Sequence, residues 1–475
     1  MPLTMHKMAS FIIIMTLLGV TGCQTYQPHP LTPTAVDDAV SSPDLKTLSA
    51  QAKTLTHPLL PPLTIDINDG LSPDEAAVIA ILANPILRAI RDRRALADAQ
   101  LLQAGLLPSP QLSASLEPVT GGVTADTFTG YSYGVSWDLN ALITRRAKLD
   151  SVQASRSAVE LDVAWQEWQV AQAAKLAAYS LLSLQEQMAL SQQMKNRLAE
   201  NLAVVRKAVQ AGLMTELDLS AAENAGNQAQ ANLADLQKQL RQQRLVFNQA
   251  LGLPPQTAIP LQQGIALPSH VEFPAEQDIL SGLDQRRLDL MALRKGYESQ
   301  EATVRVAILE QFPKINIGLS SARDTSNVIT MPFSVSVDLP IFDRNQAAIA
   351  QERATRQQLY DEYIHRIFEA RSEIAKLIAN ADSIEEQLRV AEAAVPTLQR
   401  LVDTYRLALD RGQADVLSYY TAWNNLTAKR LEIVALKQQL IETQIAFEIA
   451  AGVYDLRSIR HAPTTTQPAT HEVSK

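Results

Sequence analysis

A second copy of its first half dictates most of what this chain can become. Val135-Ser136-Trp137-Asp138-Leu139 returns as Val335-Ser336-Val337-Asp338-Leu339, a shift of 200 residues. The same shift pairs Arg206 with Arg406, Gly212 with Gly412, Leu217 with Leu417, Phe247 with Phe447 and Gly252 with Gly452. Upstream the shift is 203, pairing Leu87 with Leu290 and Pro110 with Pro313. The difference falls between Pro110 and Val135, where a loop is expected. The chain therefore reads as one large unit, doubled.

The repeated motif sits in an alternating stretch. Met331, Phe333, Val335, Val337 and Leu339 fall on one side of an extended strand, with Ser334, Ser336 and Asp338 on the other. In the first copy Tyr131, Tyr133, Val135, Trp137 and Leu139 oppose Ser132, Gly134, Ser136 and Asp138. A shorter run sets Leu112, Ala114 and Leu116 against Ser113 and Ser115. Such strands suit a wall with lipid outside and water inside, where Tyr131, Tyr133 and Trp137 would form an aromatic girdle. Taken alone, they suit a soluble sandwich equally well. An all-β protein is a poor fit, because there are only 17 Gly and 5% aromatics.

The rest reads as helix. Ser72-Pro73-Asp74-Glu75 is a helix start running to about Leu107. From Ala141 to Gln210 there is no breaker, and Ala177, Leu181, Leu184, Met188, Leu198, Leu202, Val205 and Val209 keep a coiled-coil spacing. Leu377, Ala381, Ile384, Leu388, Ala391, Val395, Leu398, Val402, Tyr405 and Leu409 repeat it, with Pro396 predicting a kink or break. About 70 helical residues span roughly 105 Å, so two shorter helices placed end to end match one long one. The expected fold class is mainly α with a small β part: an internally duplicated helix–strand–strand–helix unit with four strands per chain. The first repeat covers 72-253, a Pro-rich connector 254-276, the second repeat 277-457 and a disordered tail 458-475.

The start is a targeting segment. His6 and Lys7 precede a short apolar run, Phe11 to Val20, so 1-22 reads as a signal peptide. Val20-Thr21-Gly22-Cys23 resembles the lipobox of bacterial lipoproteins, which implies acylation of Cys23, the single cysteine. An ordinary signal peptide with an incidental cysteine is the alternative. Residues 23-71 then form a Pro-rich, lipid-anchored N-terminal segment without sustained period.

Four amphipathic strands cannot seal their own edges, so several chains must close a barrel. The doubled unit resembles the TolC-type outer-membrane efflux proteins. So do the Gln103-Ala104-Gly105-Leu106-Leu107-Pro108-Ser109-Pro110 entry to the strands and the Ala211-Gly212-Leu213-Met214-Thr215-Glu216-Leu217-Asp218 turn. The resemblance implies a homotrimer with a 12-stranded transmembrane β-barrel and a coiled-coil helical barrel in the periplasm. It implies docking through a periplasmic adaptor protein on an inner-membrane pump, of RND type. Leu339-Pro340-Ile341-Phe342-Asp343-Arg344-Asn345-Gln346 is similar to the cobalt–zinc–cadmium branch. By the same resemblance Gly212, Leu213, Thr215 and Gly412 match adaptor-docking tips. The acidic aperture positions fall here at Ser418 and Thr421, so Asp415, Glu216 or Asp218 would supply the charge. These acids also read simply as solvated helix N-terminal residues, and the glycines as helix C-caps.

Other chemistry finds no support. The net charge of -8 gives no basis for nucleic-acid binding. None of the seven histidines has a second His or Cys at ligand spacing, and no phosphate loop or nucleophile motif occurs. We therefore expect no catalytic residues, no metal site and no cofactor. The competing function is a periplasmic coiled-coil scaffold lipoprotein without a pore.

Overall fold

Proline and glycine punctuate the helices before packing does. The structure, a computed structural model, describes residues 25–41, 44–57, 59–60, 62–66, 68–122 and 125–455. Cys23, the segment 1-22 and the tail 458-475 lie outside the described residues. Residues 25–41 belong to a small separate unit with helix α1 (Pro33–Val40), where Thr32 Oγ1 accepts the Ala35 N–H at 3.3 Å. The second unit begins at Pro43 and holds the remaining elements.

In that unit the segment read as an irregular tether contains helix α2 (Leu45–Lys53), capped by Asp44. Leu48, Ala52, Leu60 and Ile65 are buried in the main core. Leu71 N–H donates to Pro260 O at 2.9 Å and Gln262 N–H to Leu71 O at 3.0 Å, a short bridge to the connector.

Ser72 begins helix α3 (Pro73–Ala83) with a full capping box, its Oγ accepting Glu75 N–H while Glu75 takes the Ser72 N–H. The predicted single helix to Leu107 is in fact two, α3 and α4 (Pro85–Gly105). Pro85 has no N–H to continue the ladder and pushes Asn84 out of the helical region, to φ −63° and ψ 118°. Strands β1 (Gln111–Glu117) and β2 (Gly130–Asp138) follow, then the long helix α5 (Asn140–Gln210) and the returning α6 (Glu216–Leu251).

The second half repeats the order with two departures. Where the repeat pattern calls for one helix to open the second copy, there are three, α7 (Glu276–Leu280), α8 (Leu283–Arg286) and α9 (Leu288–Leu309). Gly282 at φ 67° makes the first break, and Arg287, at φ −74° and ψ 116°, the second. Strand β3 (Lys314–Arg323) comes next. The alternating strand that begins at Met331 is interrupted, with β4 (Ile329–Thr330) cut off from β5 (Phe333–Asp338), because Pro332 offers no N–H to the ladder. Its carbonyl still accepts Ser320 N–H at 3.0 Å. Helices α10 (Gln346–Asp410) and α11 (Val416–Ala451) complete the unit. Helix α10 runs unbroken through Pro396, beside a cavity of about 370 Å³ lined in part by Leu190, Glu392 and Ile433.

The two returning helices end alike. Gly252, at φ 73°, closes α6 against the break at Asn84, and Asn84 Nδ2 donates to Ala250 O at 3.0 Å. Gly452, at φ 66°, closes α11 against the break at Arg287, whose guanidinium donates to Ala450 O at 3.2 Å. One joint is thus built twice from different side chains.

Helix α5 is the spine. Along one half of its length it packs against α4 and α9, along the other against α6 and α11. Gln172 Nε2 donates to Glu448 at 2.9 Å, Gln438 Nε2 to Ser180 Oγ at 2.8 Å, and Tyr420 Oη to Asn201 Oδ1 at 2.7 Å. These three bonds fix the antiparallel register of α5 and α11. Helix α10 packs on α9 and α11, so α4 and α6 stand at one margin of the layer and α10 at the other.

Candidate functional site

Register makes the sheet two-faced. All pairs are antiparallel, in the order β1-β2-β3 with β4 and β5 both on the far side of β3. Directly paired residues share a face, so Leu112, Val135, Leu319 and Phe333 line up, as do Trp137, Ile317 and Val335. The opposite face lines up Gln111, Ser136, Gly318 and Ser334, then Ser113, Gly134 and Ser320. Leu112, Val135, Leu319, Phe333, Val335 and Val337 are all exposed, so no dry core among the described residues covers the apolar face. Of the expected girdle, Tyr131 and Tyr133 stack with ring centroids 6.4 Å apart, and Trp137 Nε1 donates to Pro108 O at 2.7 Å.

The outer edges of β1 and β5 have no partner strand among the described residues. Strand β1 follows α4 and β5 leads into α10, so sheet and helical layer end at the same two margins. Both margins show apolar side chains to solvent: Ile86, Leu96 and Leu102 on α4; Tyr360, Ile364 and Phe368 on α10.

The two helical turns are built on one template. Leu213 N–H bonds to Ala208 O at 2.8 Å and Gly212 N–H to Val209 O at 2.9 Å, a Schellman ending with Gly212 at φ 69°. Gln413 N–H to Ala408 O and Gly412 N–H to Leu409 O repeat it at 2.8 and 2.9 Å. The caps that follow exchange roles. In the first turn Thr215 is the cap: its Oγ1 accepts Asp218 N–H at 3.2 Å and Asp218 takes the Thr215 N–H at 2.9 Å. In the second, Asp415 is the cap: it accepts Ser418 N–H at 2.7 Å and the Ser418 hydroxyl at 2.8 Å. Those two bonds, from the Ser418 backbone and then its side chain, hold the Asp415 carboxyl below the usual carboxylate range. We expect Thr215→Ala to lower the thermal midpoint by the equivalent of about 1 kcal/mol, while Thr215→Asp leaves it unchanged.

A shared core joins the turns, with Leu198, Val205 and Ala222 packed against Val402, Val416, Tyr419 and Tyr420. Of the predicted tip residues, Gly212, Leu213, Thr215, Glu216 and Gly412 are exposed, as are Asp415 and Thr421, whereas Asp218 and Ser418 are half-buried. Thr421 Oγ1 donates back to Leu417 O at 2.9 Å. Two neighbours were not predicted as tip residues: Leu217 and Leu417, equivalent in the two copies, are 79% and 63% exposed, beside Leu213 at 80%. An apolar residue two places after the helix cap, Thr215 or Asp415, was the available signal.

The comparisons with known proteins agree on one family. A family model described as Outer membrane efflux protein matches residues 78–253 and again 279–453. The Cobalt-zinc-cadmium resistance protein CzcC of Cupriavidus metallidurans is 24% identical over 363 residues, covering 74% of this chain and 83% of CzcC. The Cation efflux system protein CusC of Escherichia coli is 22% identical over 56% of this chain and 60% of CusC. A crystal structure of CusC superposes with a TM-score of 0.70 at 21% identity, covering 80% of this chain and 92% of that one. With both halves matched by the same model and the fold shared, the chain belongs to the outer membrane efflux protein family and is an outer-membrane channel component of an efflux system.

Proposed function

We propose that three copies of this chain form one passive duct. Margin matches margin: the α4–β1 side of one copy meets the β5–α10 side of the next, a heterologous contact that closes into a ring. Three copies then give a 12-stranded barrel, with the exposed apolar face toward lipid and the hydroxyl face toward water. The observation that carries this reading is the pair of free edges in sheet and helical layer alike. Detergent-extracted protein should migrate as a heat-modifiable trimer on gels; a monomer released without detergent sinks the reading.

The helical turns are the inward end. Leu213, Leu217 and Leu417, with Gly212, Thr215 and Gly412, form the surface we assign to the periplasmic adaptor, and through it to the pump, of RND type. Asp415, Asp218 and Glu216, with Ser418 and Thr421, are assigned to the aperture. Neutralising Asp218 and Asp415 together should reduce preference for cations, because rings of carboxylate select them. Asn is the right replacement, since at 415 it caps a helix as well as Asp and at 218 it keeps an oxygen to accept the Thr215 N–H. Reversal potentials across a potassium chloride gradient read the effect, and an unchanged potential removes these residues from the aperture. The cargo we assign is a metal cation, on the likeness to CzcC and CusC. Gene deletion should sensitise cells to zinc, cobalt or cadmium; sensitivity to drugs alone overturns that assignment. Acylation of Cys23 and anchoring in outer-membrane lipid complete the reading, and the chemistry of transport belongs to the pump, with no catalysis here.

A further inference from the structure

Among the described strand residues, the apolar face of the sheet carries a single charge, Arg323. Register sets it in one row with Leu116, Tyr131 and Ile329, at the end of the sheet away from the helices. From Ile315 to Arg323 the face climbs roughly 20 Å, at about 3.3 Å per residue and a tilt near 40°. Arg323 therefore stands at headgroup height on the far side of the membrane. A cation on a lipid-facing strand is costly in the hydrocarbon and tolerated only near the interface.

The surroundings are built. The Arg323 guanidinium lies over the Phe128 ring, 5.1 Å from its centroid. Phe128 is held by its own N–H donating to Thr325 O at 2.9 Å. The stacked Tyr131 and Tyr133 flank the same rim. Arg323 Nε is sealed from solvent without a hydrogen-bond partner, and no carboxylate pairs with the side chain among the described residues. That nitrogen is closed inside the chain, but the two terminal nitrogens of the guanidinium are not sealed and donate to nothing among the described residues, so their partner comes from outside the chain. A guanidinium offers parallel donors that match the oxygens of a phosphate. At this height the available phosphates are those of lipid headgroups.

We propose that Arg323, framed by Phe128, Tyr131 and Tyr133, binds the phosphate of an outer-leaflet lipid. The site rests on the outer-membrane barrel reading and adds to it a fixed lipid at each copy's rim. Full-length protein purified from membranes is placed in phosphatidylcholine nanodiscs doped with lipid A or with dephosphorylated lipid A. Lipid retained per protein after washing is then measured by mass spectrometry. Wild type should retain lipid A about tenfold over the dephosphorylated form, as expected for loss of one charge-assisted contact. Arg323→Gln should abolish the difference, and Arg323→Lys should keep part of it, having the charge without the fork. Equal retention of both lipids by wild type, or undiminished preference in Arg323→Gln, overturns the site and leaves a side chain that only reaches for water. Displacement of the lipid by inorganic phosphate would assign the site to a soluble anion and overturn the lipid. Trimers on a heat-modifiability gel show whether the barrel formed in each variant, so failure of the barrel reading is seen separately.

Discussion

Glu167→Ala is expected to remove about 2–3 kcal/mol of stability, because it deletes the buried carboxylate on which His57 and two half-exposed arginines converge. Glu167 is 1% exposed on α5 and takes bonds from Arg91 at 2.6 Å, His57 at 3.1 Å and Arg94 at 3.2 Å. Leu59 N–H donates to His57 Nδ1 at 3.2 Å, which leaves Nε2 to carry the proton given to Glu167. Burial alone pushes this carboxyl up, but the bonds from His57 and Arg91 outweigh it and hold it at about 2, below the ordinary 4.5. A carboxyl depressed on folding stabilises fully above its unfolded value. That stabilisation, on the order of 3 kcal/mol, should fade as pH falls from 4.5 toward about 2. Urea unfolding in detergent, followed by the fluorescence of the buried Trp165 and Trp168, reads both effects. Glu167→Gln should flatten the acid limb while costing less than Ala. His57 lies on the N-terminal segment, so Glu167→Ala should also open residues 44–71 to protease; equal protection in both proteins would count against the latch.

Glycine substitutions should separate strain from collision. At Gly212 and Gly412 a Cβ would meet nothing within 4 Å, so Ala pays only for the left-handed backbone, about 1–2 kcal/mol. At Gly452 the added carbon would stand 3.2 Å from Arg287 Cα and N. At Gly252 it would stand 2.3 Å from Asn84 Cα, which no rotamer can relieve. Gly252→Ala should therefore cost about 2–5 kcal/mol, strain plus overpacking. The temperature at which the trimer band disappears ranks the four variants. Gly212→Ala proving the more damaging would contradict the joint described at Asn84.

Local patterns were legible and distant pairings were not. The strands announced themselves through alternation, the Ser72 helix start through its cap, and the α5 and α10 seams through spacing. Pro85 and Pro332 carried readable signals that the periodic pattern around them masked. Pro396 misled in the other direction, since the neighbours of α10 keep it helical through the lost bond. Glu167 gave no sign in the sequence, because a lone acid in a long helix looks solvated until residues 76 and 110 positions away close on it. Arg323 was hidden for a related reason. Its place at the rim depends on which residue of β2 it faces, and register is a property of the pair.

The hydroxyl face of the sheet has a consequence for how such a passage can evolve. Apart from Gln111 on β1, its central rows are Ser, Gly, Ala and Thr, and Cβ atoms added at Gly134 and Gly318 would come within 2.8 and 2.6 Å of the Ser320 and Ser334 side chains. In the proposed duct, a lining of side chains this small leaves mutation chiefly one direction in which to work. Point changes there can constrict the bore or colour it with charge, while a roomier bore would require new strands or a new number of chains.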